Sequence, residues 1–265
     1  FIKVSFLVTL LGVFLAQFDR FILTTTLSLE EFGMYSLVAL FGSAITVLGY
    51  PIGSVSFPAF SKSVQSQNFQ KLAGDIEQFL NIKFVLILPI GLFAVVYVKE
   101  LIPFYIGSNM STKFIDILPI YMLGAIFAAL IPSFNGLILS SNSPSNSLKV
   151  LLVMSIIYLP MLPFLINTYG IVGASSGFLL MQFGLFSSYI AKSFSIFENI
   201  NVLEMVIRRL LIPGVIIFLI LFLTKYWLNE FIDGDSIFNL MIMLTVYVVV
   251  QISAYIFWRM NQCTQ

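Results

Sequence analysis

Histidine is absent from the 265-residue chain, and cysteine occurs once, at Cys263. The first absence removes the commonest acid/base side chain and the commonest metal ligand. The second excludes a disulfide framework within the chain and says little about redox compartment. Charge is scarce as well: Asp, Glu, Lys and Arg together make up 9% of residues, against about 25% in soluble domains. No GxSxG, Walker A, HExxH or CxxC pattern occurs, and the loops between apolar runs are too short to build a soluble catalytic domain. No basic arm suggests nucleic acid. No catalytic residue, metal site or cofactor is therefore expected.

What is present is apolar. Hydrophobic residues make up 59% of the chain and aromatics 15%, with a mean hydropathy of +1.02, which reads as a polytopic membrane protein. A spanning helix needs roughly 20 mostly apolar residues to cross about 30 Å of hydrocarbon. Cutting the chain at charges and turn formers gives eight spans: Val4–Leu27, Gly33–Phe57, Phe79–Val98, Ile117–Ser140, Leu148–Asn167, Ile171–Ala191, Val206–Leu228 and Ser236–Trp258. Val150 to Ala191 holds no charge and is too long for one crossing; NTYGIVG, Asn167 to Gly173, supplies the turn that divides it. The runs lack the period-2 alternation of a β-barrel, so the expected class is an all-α polytopic membrane protein with about eight transmembrane helices.

Lysine and arginine orient these spans. If the chain ends and the even-numbered loops share one side, that side collects Lys3, Lys62, Lys71, Lys83, Lys149, Lys192, Arg208, Arg209 and Arg259, against Lys99, Lys113 and Lys225 opposite. The excess predicts that both ends of this segment are cytoplasmic, with Arg20 inside the bilayer. The chain starts at Phe1 without a charged leader or small-residue cleavage site, so it is expected to be truncated at its N-terminus and to lack a signal peptide. SKSVQSQNFQKLAGDIEQFL, Ser61 to Leu80, places Phe69, Leu72, Ala73, Ile76, Phe79 and Leu80 at helical spacing, which predicts an amphipathic helix resting in the lipid headgroups and running into the third span.

Asp19 and Arg20, in QFDRF, are the unusual pair. A charge at a helix centre costs about 2.5–3.5 kcal/mol on insertion scales, so both should face protein or a wet cavity. Neighbouring helical residues point about 100° apart, so each needs a partner elsewhere; Gln17 shares a face with Arg20. The alternative is a packing ion pair, or a pair snorkelling to water from a short helix. Breakers and amides recur through the other spans: Gly49, Pro51, Gly53 and Pro58; Pro89 and Gly91; Pro132, Asn135 and Gly136; Pro160 and Pro163; Gln182; Pro213 and Gly214; and Gln251. Kinks of this kind let helices bend around a cavity, which suits a transporter better than a static anchor.

QFDRFILTTTLSLEEFGMYSLVALF, Gln17 to Phe41, resembles the segment of polysaccharide flippases in which a D-[RK] pair in a helix precedes a short loop ending in G-x-Y-S. VKELIPFYIGSNMSTKFIDILPIYMLG, Val98 to Gly124, and SNSPSNSLKVLLVMSIIYLPMLPFLINTYGIVGASSGFLL, Ser141 to Leu180, resemble later segments of the same proteins in the same order. The resemblance covers roughly the first 190 residues. It implies the multidrug/oligosaccharidyl-lipid/polysaccharide exporter superfamily, specifically flippases for O-antigen or related polysaccharides, whose members have twelve or fourteen helices in two six-helix bundles around a central cavity.

On that footing residues 1–191 are the second bundle, the C-terminal lobe of the transporter. Residues 192–265 are a cytoplasmic connector and two additional transmembrane helices. The resemblance further implies an inner-membrane location and transport of an undecaprenyl-diphosphate-linked oligosaccharide for polysaccharide or O-antigen biosynthesis. The implied partners are the lipid bilayer, that lipid-linked oligosaccharide, an N-terminal bundle of the same protein outside this sequence, and polysaccharide polymerase machinery. Arg20 is then the first candidate for the diphosphate, since a guanidinium matches phosphate oxygens bidentately. Asp19 is the candidate to organise Arg20 or to hold a coupling cation, and Asn135, Gln182 and Gln251 are candidates for sugar contacts. The competing readings are an integral-membrane polymerase or glycosyltransferase, a flippase for a peptidoglycan precursor, and a multidrug antiporter.

Overall fold

A computed structural model describes residues 2–98, 100–101, 112–231, 245 and 247–252. Among these every element is helical. They are α1 (Ile2–Thr26), α2 (Leu29–Gln65), α3 (Phe69–Leu86), α4 (Leu88–Val96), α5 (Thr112–Ser140), α6 (Pro144–Ile196), α7 (Val202–Val206), a π-helical turn (Ile207–Leu211) and α8 (Ile212–Phe231).

Local chemistry sets the boundaries. Ser28 caps α2 by accepting the Glu31 amide at 3.3 Å, with the Glu31 carboxylate 3.5 Å from the same hydroxyl. Asn68 caps α3 through the Lys71 amide at 2.9 Å. Pro89 begins a new helical segment just after the break at Ile87, so α3 and α4 together form one bent span. The π turn lies just before Pro213, whose missing N–H leaves the Arg209 carbonyl without its usual helical donor.

Among the described residues six helices are long and apolar enough to cross a membrane. The fifth of these, α6, doubles back at Gly170, where φ is +58° and ψ −134°. This backbone conformation suits glycine. Across the turn, Gly173 lies against the Leu165 backbone, Gly177 against Leu162 and Gly184 against Met154, the register of two antiparallel helices. The described residues thus make seven passes, and the division expected at NTYGIVG is where the chain turns. The eighth expected span, Ser236–Trp258, lies largely outside the described residues.

The core is the sandwich of α2, α5 and the second half of α6, with α1 laid against α6 and touching α2 little. α2 and α5 run parallel and meet backbone to backbone at Gly49 and Gly53, opposite Ala129 and Pro132. On the other side α3 and α4 connect this core to α8. Phe6, Leu10, Phe14 and Phe21 on α1, and Val215, Leu219 and Phe222 on α8, point outward, as lipid-facing residues do.

Two expectations need correction. Most of the apolar face of the segment 69–80 is turned into the protein and not outward: Leu72, Ile76, Phe79 and Leu80 are buried, with Phe79 edge-on to Phe60 of α2 at 5.4 Å, and Phe69 alone of the large apolar residues stays exposed. A connector that packs on its own bundle buries that face better than an interface does. Lys83, counted above among the loop cations, is fully buried in α3. Its ammonium donates to the Ala129 carbonyl at 3.4 Å and to the Leu130 carbonyl of α5, and sits 5.8 Å from the Phe134 ring centroid.

Candidate functional site: a polar cavity between α1, α2, α5 and α6

Asp19 and Arg20 stand near the C-terminal end of α1. Asp19 is 4% exposed; one carboxylate oxygen accepts the Tyr35 hydroxyl of α2 at 2.5 Å and the other accepts the Arg20 backbone amide at 2.7 Å. Around it lie Tyr121 of α5, edge-on to Tyr35 at 5.6 Å and stacked on Phe178 at 4.1 Å, and Tyr158 of α6. Arg20 takes the other direction that the helical repeat allows. Its side chain is exposed, with Nη1 3.5 Å from the Gln17 side-chain oxygen. The neighbouring charges therefore diverge: the carboxylate is held by a tyrosine on another helix, and the guanidinium is left facing open space.

That space is a partly open cavity of about 590 Å³. Asp19 and Arg20 line one end, with Tyr121 and Tyr158; Tyr50, Ser54, Asn135 and Tyr189 line the other. The register of the helices sets the distance between these ends. Tyr121 and Asn135 are fourteen residues apart on α5, so the ends lie about 20 Å apart along the bundle at about 1.5 Å per residue. At the far end Asn135 Oδ1 accepts the hydroxyl of Ser147, a fully buried residue, at 2.6 Å, and Ser147 Oγ lies 3.2 Å from the Tyr189 hydroxyl. Gln182, half-buried on the second half of α6, also lines the cavity. Arg20 is the single cation and Asp19 the single anion among the lining residues.

Four of the five candidate residues, Asp19, Arg20, Asn135 and Gln182, thus share one cavity. Gln251 does not. Its side-chain amide donates to the Val85 carbonyl of α3 at 2.9 Å, away from the cavity. The tyrosines at 35, 121, 158 and 189, together with Ser147, escaped sequence reasoning. Tyrosine and serine are unremarkable in a membrane chain, and the pattern that marks them, a carboxylate or amide at the same level on another helix, exists only once the helices are registered. Among the described residues no cluster of acidic, histidine or cysteine side chains could hold a metal ion.

Comparison with known proteins adds three findings. The profile of a family described as "Polysaccharide biosynthesis protein" matches residues 1–113. A Shigella flexneri protein named "Putative O-antigen transporter" is 24% identical over 163 residues, 61% of this chain and 38% of its own length. In fold, the chain superposes on the lipid II flippase MurJ in an inward closed conformation with a TM-score of 0.71 and 14% identity, covering 96% of this chain and 52% of MurJ. It also superposes on an outward-facing multidrug resistance MATE family transporter with a TM-score of 0.57 and 14% identity, covering 95% of this chain and 60% of that one. The chain thus spans between 38% and 60% of the length of these relatives. It is a multi-pass membrane protein related in sequence to polysaccharide biosynthesis proteins and an O-antigen transporter, with the fold of MOP-superfamily flippases and exporters.

Proposed function

We propose that this chain is one lobe of a flippase that moves an undecaprenyl-diphosphate-linked oligosaccharide from the cytoplasmic to the outer leaflet of the inner membrane. The observation that carries this reading is the open cavity, where an exposed guanidinium and two amides line the interior of an otherwise apolar bundle. A diphosphate needs a fixed cation; a glycan needs neutral hydrogen-bonding groups; a polyprenyl tail needs an apolar exit. Arg20 supplies the first, Asn135 and Gln182 the second, and apolar lining residues such as Val8, Leu15 and Leu151 the third. Residues 1–191 build the cavity, and residues 192–265 form the connector and peripheral helices. A second bundle completes the chamber, and access alternates between the two.

The charge pattern supports cytoplasmic ends. With Lys83 withdrawn into the bundle, the nine cations of that side become eight against three, still a clear excess. Asp19 serves Arg20 indirectly, by holding the α1 backbone against Tyr35.

The test is lipid-linked oligosaccharide flipping by the full-length protein in proteoliposomes. Wild type, Arg20→Ala, Arg20→Lys and Asp19→Asn are compared at equal abundance, with organic cations and a lipid-linked peptidoglycan precursor as competing cargoes. Loss of a charge-assisted contact worth about 1.5–3 kcal/mol predicts a fall of roughly 10- to 150-fold for Arg20→Ala, and a smaller one for Arg20→Lys. Transport of organic cations in place of the glycan would reject the reading.

A further inference from the structure

The end of the cavity away from Arg20 has a defined hydrogen-bond polarity. A serine hydroxyl carries one proton. Ser147 gives it to Asn135 Oδ1 at 2.6 Å, so in the 3.2 Å contact with Tyr189 the tyrosine is the donor. Donation therefore runs from Tyr189 to Ser147 to the Asn135 carbonyl oxygen. Ser147 occupies that oxygen from the buried side, which leaves the NH2 of Asn135, two uncharged donors, as the group available to the cavity. No cationic side chain lines this end; Arg20 lies about 20 Å away along the bundle.

We infer that the Asn135 end is a subsite for the acceptor oxygens of an uncharged sugar residue, ring hydroxyls or an N-acyl carbonyl. Asn135 touches the sugar; Ser147 and Tyr189 are positioning residues that fix its amide. This rests on the reading that the cargo is a lipid-linked glycan. A phosphate is drawn to the other end, because charge-assisted bonds to a guanidinium are roughly twice as strong as neutral ones. The cargo accordingly lies in one orientation, with its diphosphate at Arg20 and its sugars toward Asn135. Asn135, held by Ser147, thereby discriminates among glycans, while Arg20 binds the feature that all such cargoes share.

The experiment uses the full-length protein in nanodiscs and two probes, undecaprenyl diphosphate bearing a neutral or N-acetylated oligosaccharide and undecaprenyl diphosphate without sugar. Asn135→Asp keeps the size of the side chain and an acceptor for Ser147 but loses both donors. It is expected to weaken glycan-bearing lipid about tenfold, the loss of one good hydrogen bond, and to leave the sugar-free lipid within about twofold. Ser147→Ala and Tyr189→Phe are expected to weaken the glycan-bearing lipid about threefold with the same selectivity. Arg20→Ala weakens both probes. Equal loss of both probes in Asn135→Asp, or loss of neither, overturns the subsite. If that variant does not fold, Tyr189→Phe, which removes one hydroxyl, decides by the same ratio. Failure of wild type to bind either lipid overturns the flippase reading and the subsite with it; binding of both by wild type with no selectivity change in the variants overturns the subsite alone.

Discussion

Arg20 and Lys83 are both cations within spanning helices, and their surroundings are opposite. Lys83, on α3, is fully buried behind α5 and donates hydrogen bonds to two backbone carbonyls one residue apart, close to Pro132 in the chain. Arg20, on α1, is exposed to the cavity, and its guanidinium has one long contact to Gln17. One cation is already solvated by protein; the other retains donors for a ligand. A charge inside a membrane helix is thus not by itself a transport residue, and what separates the two roles is how many of its donors the protein has taken. The same contrast divides the molecule, with ligand-ready groups on the α1 and α6 side and satisfied ones on the α3, α4 and α8 side.

Substituting Lys83 sharpens the comparison most. Lys83→Ala removes a fully buried chain and is expected to destabilise the protein by about 2–4 kcal/mol, read as a clear fall in thermal midpoint in detergent. Lys83→Met, of similar volume and apolar, should recover most of that loss, because well-packed apolar replacements of buried charges are often neutral. Arg20→Ala should leave the midpoint nearly unchanged. If Lys83→Met instead abolishes transport at full stability, the division into satisfied and ligand-ready cations fails. Tyr35→Phe ranks next. It strips the buried Asp19 carboxylate of its 2.5 Å donor, an expected loss of about 1–3 kcal/mol, and adding Asp19→Asn should restore stability by removing the stranded charge. The smallest effect belongs to the rear clasp, where Lys225 meets Glu100 at 2.9 Å with both side chains partly exposed. Glu100→Gln should cost about 1 kcal/mol or less and leave flipping unchanged.

Much of this fold was legible because its signal is one-dimensional. Apolar length located the passes, and the asparagine and two glycines of NTYGIVG marked a reversal that the backbone makes at Gly170. Asp19 and Arg20 stood out because charge is rare in such a chain. Lys83 was misread because it lies one turn from Phe79, where the apolar run was taken to begin, and a lysine at a span's edge reads as a loop residue until α5 is seen lying over it. Gln251 drew attention as a polar residue in a span, yet its partner is a backbone carbonyl, and every residue carries one of those. The network of Ser147, Tyr189 and Asn135 joins positions up to 54 residues apart and has no local pattern at all.

The contact of α2 with α5 at Gly49 and Gly53 has a mechanical consequence. Where two backbones touch through glycine, sliding either helix by one residue brings a Cβ into a place with no room for it, so the two behave as a single keel. α1 has no such seam; it leans mainly on α6, is tied to α2 through the Tyr35 hydroxyl on Asp19, and borders the cavity. The seam therefore fixes the α2–α5 wall of the cavity, while the opposite wall, on the helix that bears Arg20, rests on side-chain contacts such as Tyr35 to Asp19 and Phe18 to Tyr158.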